Sequence, residues 1–131
     1  MVNDNKFDIE SEDDKFIAAM IEIIEKNIKD PDFGIQELCE ESRYSYQQIY
    51  RKIKALTGKT VNDFVRSVRL NHAAAYLRQS GARVSEIMYD VGFNSHSYFS
   101  KCFRETYGMS PREYAEKHKG SDSQSFTHRT E

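Results

Sequence analysis

The 131-residue chain has no tryptophan, two prolines, six glycines and two cysteines. Glycine and proline break helices and are scarce, and few stretches alternate apolar and polar residues with the period of two that marks a strand. No apolar run approaches the ~20 residues of a membrane-spanning helix, and no secretory signal sequence is visible. These absences exclude a membrane-spanning segment and predict an all-α fold.

The two cysteines, Cys39 and Cys102, lack the short spacing of a zinc site. Both fall on apolar helical stripes, so we expect small core residues in a reduced, cytoplasmic protein. The chain also has no phosphate-binding glycine-rich loop, no HExxH motif and no GxSxG motif. We therefore predict no catalytic residue, no metal site and no cofactor, and we do not expect an enzyme.

The net charge is −2, but the charges are unevenly distributed. Residues 1–42 carry 4 Lys or Arg against 13 Asp or Glu, for a net charge of −9. Residues 43–119 carry 14 against 6, for a net charge of +8, and residues 120–131 have a net charge of −1. Such asymmetry is typical of chains that bind nucleic acid, although an ordinary solvated surface also fits it. The charge alone leaves both interpretations open.

Residues 84–107, VSEIMYDVGFNSHSYFSKCFRETY, predict two short helices joined by a tight turn. Apolar residues at the spacing of one buried stripe mark both helices. Gly92 permits the positive φ that a sharp turn needs, and Asn94 or Ser95 can cap the second helix. A second helix with a polar outer face is what helix-turn-helix DNA readers present to the major groove.

The same design occurs earlier, in residues 35–56, IQELCEESRYSYQQIYRKIKAL. Apolar positions match at an offset of 49 before the turn and 50 after it, so the second turn is one residue longer. Basic positions match as well, because Arg51 corresponds to Lys101 and Lys54 corresponds to Arg104. Chance similarity between two amphipathic helix pairs explains the apolar matches but not the basic ones. The sequence therefore predicts two helix-turn-helix units.

The 3.6-residue period of a helix places polar side chains on the outer face of each second helix. Arginine can bind guanine with two hydrogen bonds, glutamine can bind adenine likewise, and tyrosine can contact a phosphate or a thymine methyl group. For His96 a base or phosphate contact and plain solvent exposure both remain open. The predicted DNA-binding residues are Tyr46, Gln47, Tyr50, Arg51, Lys54, His96, Ser97, Ser100, Lys101 and Arg104.

A long helix from about Val61 to Gln79 is predicted between the two units. Thr60 and Asp63 form a capping box at its start, and ~19 residues span roughly 28 Å. The expected organisation has about seven helices. It comprises a disordered acidic segment (1–12), a first helix-turn-helix subdomain (13–58), a linker helix (59–80), a second helix-turn-helix subdomain (81–119) and a disordered polar tail (120–131).

Residues 15–117 resemble the DNA-binding domain of AraC/XylS-type regulators. The resemblance rests on Arg69-Leu70, Val91-Gly92-Phe93, Ser97-Tyr98-Phe99, Gly108 and Ser110-Pro111, among others. The run YRKIKALTGKTVNDFVRSVRL together with VGFNSHSYFSKCF is most similar to the output domains of hybrid two-component regulators, which typically control polysaccharide use. The resemblance implies that both reader helices enter adjacent major grooves on one face of the duplex.

We expect sequence-specific binding of double-stranded DNA by the output domain of a transcription regulator, with activation of transcription as the outcome. RNA polymerase and an upstream sensor or receiver domain are the expected protein partners, and no membrane contact is expected from this segment. Two alternatives stay open. One is a helical protein–protein adaptor that uses the acidic N-terminal region, and the other is a self-contained ligand-sensing regulator, for which the chain is short.

Overall fold

The computed structural model describes residues 11–79 and 81–119. Within these ranges the chain forms seven α-helices and no strand, which confirms the all-α class. The expected disorder of residues 1–12 and 120–131 lies, apart from residues 11 and 12, outside the described residues. The helices are α1 (Glu12–Lys26), α2 (Ile35–Ser42), α3 (Tyr46–Thr57), α4 (Val61–Gln79), α5 (Val84–Asp90), α6 (His96–Tyr107) and α7 (residues 111–119).

The sequence predicts that Asp13 or Asp14 opens the first helix, but α1 begins one residue earlier, at Glu12. The hydroxyl of Ser11 accepts a hydrogen bond from the backbone N–H of Asp14 at 3.0 Å, so serine is the N-cap. Three acidic residues fill the first turn, where they interact favourably with the helix dipole. The aspartates therefore lie inside the helix and do not cap it.

The described chain divides into two compact units, of which unit 1 comprises residues 11–27 and 33–65. Its described core comes from one face of each helix and from Phe33 in the loop before α2. It consists of Phe16, Met20, Ile24, Phe33, Leu38, Ile49, Ile53, Val61, Phe64 and Val65. The 3.6-residue period predicts that Leu56 faces this core together with Ile49 and Ile53, and for Leu56 the prediction is wrong, because its side chain is 38% exposed. The apolar stripe of α3 is thus buried for two turns and leaves the core in its last turn.

Unit 2 comprises, among the described residues, 28–32, 66–79 and 81–119, and aromatic rings fill much of its core. Phe99 and Phe103 of α6 are fully buried. The ring centroid of Phe93 lies 5.0 Å from that of Phe99, and the ring centroid of Tyr114 lies 5.3 Å from that of Phe103. Aliphatic residues of α4 and α5 complete the cluster. This packing fixes which face of α6 is left to solvent.

Arg69 is buried inside unit 2, with an exposed fraction of 6%. Its guanidinium donates hydrogen bonds to the carbonyl oxygens of Ile28 at 2.5 Å, Asp30 at 2.8 Å and Val91 at 2.8 Å. Burial lowers the pKa of Arg69, and the charge of Asp30 acts in the opposite direction. The side chain therefore ties residues 28–32 to the turn that precedes α6.

Helix α4 runs without a break for 19 residues, from Val61 in unit 1 to Gln79 in unit 2. The hydroxyl of Thr60 accepts from the backbone N–H of Asp63 at 3.1 Å, which is one half of the predicted capping box. At 1.5 Å per residue the helix is about 28 Å long.

Candidate nucleic-acid interface

Helices α2 and α3 are joined by a three-residue turn that starts in the left-handed region. Arg43 has φ +69° and ψ +7°, and its N–H donates to the carbonyl oxygen of Cys39 at 2.9 Å. A non-glycine residue in this region costs about 1–2 kcal/mol. Arg43 holds the position that Gly92 holds in the second unit. Ser45 then caps α3 in a reciprocal pair with Gln48, with bonds of 3.2 and 2.9 Å. The turn sets where the first reader helix begins.

The outer face of α3 carries all five residues predicted for this helix, and each is exposed. The opposite face, with Ile49 and Ile53, is fully buried. The ammonium group of Lys54 lies 3.3 Å from the carbonyl oxygen of Gly58, at the C-terminal end of the helix. The other exposed residues of the set are Tyr46, Gln47, Tyr50 and Arg51.

Helices α5 and α6 form the second pair, and Gly92 in their turn has φ +92°. Of the two predicted caps, Asn94 and Ser95, the N-cap is Ser95. Its hydroxyl accepts a hydrogen bond from the backbone N–H of Tyr98 at 3.2 Å. Gly92 is closely surrounded, because a Cβ there would collide with the guanidinium of Arg69 and the carbonyl oxygen of Ile28. This turn therefore requires glycine for space as well as for φ.

The outer face of α6 presents His96, Ser97, Lys101 and Arg104, all exposed, and Ser100, which is half-buried. Tyr98 is 45% exposed, and its hydroxyl accepts a hydrogen bond from the guanidinium of Arg66 at 3.0 Å. The ten predicted residues thus fall into two sets of five, one on each reader helix.

The two reader helices share one local design. Each has 12 residues, a serine N-cap and a C-terminal glycine with positive φ, at +76° for Gly58 and +80° for Gly108. Ile49 and Ile53 occupy the buried positions that Phe99 and Phe103 occupy in the second. The repeat in the sequence therefore corresponds to a repeat in local structure.

A groove of about 620 Å³ opens beside α6 within unit 2. His96 and Ser100 line it together with Arg83 before α5 and with Arg112 and Lys119 of α7. Glu116 is the acidic residue of its lining. Arg83, Arg112 and Lys119 lie outside the two reader helices, where no motif of the sequence marks them as binding residues.

Other site types find little support in the part of the chain that the structure describes. Residues 11–79 and 81–119 hold no group of three or more His, Cys, Asp or Glu side chains that could bind a metal ion. Cys39 is half-buried and Cys102 buried, and both thiols are free. None of the described helices has the length and apolar character needed to cross a bilayer.

A family model described as a helix-turn-helix domain matches residues 38–117, which include both helix pairs. The chain belongs to the AraC-type helix-turn-helix family. Domains of this family bind DNA in transcription regulation, and residues 38–117 of this chain are a DNA-binding domain of that kind.

Among the relatives, the HTH-type transcriptional activator RhaS of Mannheimia succiniciproducens is 36% identical over 94 residues. The match covers 72% of this chain and 35% of RhaS. A protein named histidine kinase P4, from Formosa agariphila, is 33% identical over 113 residues, which are 86% of this chain and 8% of that protein. The chain therefore spans a small part of the relatives it matches.

Solved structures of DNA-binding regulators have the same fold. The C-terminal domain of AraT, a response regulator from Geobacillus stearothermophilus, is 25% identical with a TM-score of 0.68, over 77% of this chain and 84% of that one. The DNA-binding domain of AdpA, solved in complex with a target DNA, has a TM-score of 0.71 at 22% identity, over 82% of this chain and 96% of that one.

Proposed function

We propose that α3 and α6 each enter a major groove of double-stranded DNA, and that the two grooves are successive on one face of the duplex. The observation that carries this proposal is the repeated design of the two helices, with an apolar face buried and a polar, basic face exposed. Two helices of equal length and capping, held in the same way, are suited to the same task.

On α3, Gln47 and Arg51 lie one turn apart and share one row of the exposed face. An exposed guanidinium can donate two hydrogen bonds to guanine, and an amide can bind adenine likewise. Lys54 lies a further turn along, near the C-terminal end of α3, where an ammonium group serves as a phosphate contact. Arg51 is therefore the proposed base reader, and Lys54 a backbone contact.

On α6, Lys101 occupies the position that Arg51 occupies on α3, and Arg104 the position of Lys54. Ser97 and Ser100 are short hydroxyl side chains that can bond to either a base edge or a phosphate. His96 begins the helix and also lines the groove beside it. We assign Lys101 to base reading, Arg104 to the backbone, and the other three to either kind of contact.

Arg83, Arg112 and Lys119 extend the basic surface beyond the reader helix. They line the groove that His96 and Ser100 also line, and with Glu116 they leave it a net positive charge. A sugar-phosphate strand beside the major groove would meet this charge if α6 lay in that groove. We propose these three residues as additional phosphate contacts.

Helix α4 is the proposed spacer between the readers, and residues 13–58 and 81–119 are the proposed subdomains. Its ~28 Å are of the order of the ~34 Å between successive major grooves on one face. The RhaS relative is named a transcriptional activator, and AraT is described as a response regulator. We therefore propose activation in the cytoplasm, through RNA polymerase, by an output domain attached to a sensor or receiver domain. Polysaccharide-utilisation genes are the proposed targets, by resemblance.

The test is selection of bound sequences from random DNA, followed by titration of variants on the selected site. We expect Arg51→Ala and Lys101→Ala to relax preference at different positions, each with a loss of about 1–3 kcal/mol if the side chain reads a base. Lys15→Ala is the matched control, because Lys15 is exposed on α1 and pairs with Glu12 at 3.7 Å. Loss of the same base pairs in both variants would refute the two-reader arrangement.

A further inference from the structure

We propose that Tyr46 and Tyr50 form an apolar surface that reads the methyl groups of thymine in the half-site of α3. The inference rests on the proposed function, in which α3 enters the major groove. It adds the chemistry by which this helix selects its sequence.

The two tyrosines lie on successive turns of α3 and are among its most exposed large side chains. Tyr46 is 56% exposed and Tyr50 is 48% exposed. Their rings are nearly parallel, with an interplanar angle of 11° and 6.3 Å between centroids. Aromatic rings gain free energy when they leave water, so a pair held in solvent is a surface prepared for a partner.

The position of the pair matches the part of a reader helix that meets base edges. Recognition helices contact bases mainly with their N-terminal residues, and Tyr46 is the first residue of α3. Side chains on a helix lean toward its N-terminus, which carries both rings further in that direction. Gln47 and Arg51 line a shallow concavity with Tyr50 on the same face. Polar readers and an apolar surface are therefore adjacent.

Major-groove edges offer few apolar groups to such a surface. The C5-methyl of thymine is the apolar group by which that groove distinguishes its base pairs. The equivalent positions on α6 are His96 and Ser100, a ring with two nitrogens and a small hydroxyl residue. Sensitivity to thymine methyl groups should therefore be concentrated in the half-site of α3.

The experiment uses the full chain and its selected DNA site, in which each thymine is replaced by uracil one at a time. This replacement removes only the methyl group and keeps the base pair. Burial of one methyl group corresponds to about a fourfold change in affinity. We expect a loss of about that size at one or two thymines in the half-site that Arg51→Ala disturbs, and no comparable loss in the other half-site.

Variants of Tyr50 connect the methyl group to the ring. Tyr50→Ala should weaken binding to the thymine site and abolish the difference between thymine and uracil, whereas Tyr50→Phe should keep both affinity and difference. The same comparison applies to Tyr46. Because both side chains are exposed, the variants should fold, which circular dichroism checks.

Three results would overturn the inference. In the first, the protein binds the uracil-substituted site as tightly as the thymine site throughout the α3 half-site. In the second, the difference between thymine and uracil survives in Tyr46→Ala and Tyr50→Ala. In the third, the Phe variants bind as weakly as the Ala variants, which would indicate a hydroxyl–phosphate bond. Specific binding that ignores the methyl groups contradicts this inference alone. Absence of any site-specific binding contradicts the proposed function as well.

Discussion

Replacement of Arg69 by methionine should destabilise unit 2 more than any exposed substitution. Methionine keeps most of the volume but removes the three hydrogen bonds to the carbonyl oxygens of Ile28, Asp30 and Val91. At about 1.5 kcal/mol each, the lower end for bonds to a charged group, they amount to about 4–5 kcal/mol. Burial of the guanidinium costs part of this, as the lowered pKa of Arg69 indicates. The expected net loss is about 3–4 kcal/mol.

The measurement is urea denaturation followed by circular dichroism, with amide hydrogen exchange to locate the effect. A typical domain has about 5–15 kcal/mol of stability, so the loss is readily measured. Because Val91 and Gly92 lie in the turn before α6, amides of α6 should lose protection, and affinity for its half-site should fall.

Arg78→Met is the matched control on the same helix. Its guanidinium donates to the hydroxyl of Tyr114 at 2.7 Å, and a hydroxyl can turn to find another partner more easily than a buried carbonyl can. About 1 kcal/mol is expected for this variant. An equal loss in the two variants, or a loss below about 1 kcal/mol in Arg69→Met, would refute the assigned role of the three carbonyl bonds.

Three further predictions follow from the fold and the charges. Gly92→Ala should destabilise the chain clearly more than Gly108→Ala. The two glycines have similar φ values, +92° and +80°, but of the two only Gly92 lacks room for a Cβ. The midpoints of urea denaturation measure the difference. The affinity for DNA should fall as the salt concentration rises, and the slope of log affinity against log salt should be about −0.9 for each phosphate neutralised. A flat response would favour the protein–protein adaptor. Two alanines inserted after Ala75 should rotate the part of the chain after the insertion by about 200° relative to the part before it. Tight specific binding should then be lost, while circular dichroism stays unchanged. Normal affinity in this variant would exclude α4 as a rigid spacer.

Helix positions were largely predictable from the sequence because local signals mark their ends. Ser45 and Ser95 cap the reader helices, and Gly58 and Gly108 end them with positive φ. The predicted bounds of α4 agree with the structure. The start of α1 differs from the predicted Asp13 or Asp14 because serine and aspartate are both good N-caps, and only the geometry shows that Ser11 is the cap.

Contacts made through the backbone could not be predicted. The partners of Arg69 are carbonyl groups 41, 39 and 22 residues away, and a carbonyl has no signature in the sequence. The basic lining of the groove was missed for a related reason. Arg83, Arg112 and Lys119 come from separate segments, and only the packing of α5 and α7 brings them to one groove.

The comparison of α3 with α6 bears on the form of the target site. Their buried positions and their caps agree, because packing and unpaired backbone groups constrain them in the same way. Their exposed faces differ, since Tyr46 and Tyr50 correspond to His96 and Ser100. Two readers that offer different chemistry select different base sequences, even when each is held by the same scaffold. We therefore expect the selected site to consist of two unlike half-sites and not of a palindrome or a direct repeat.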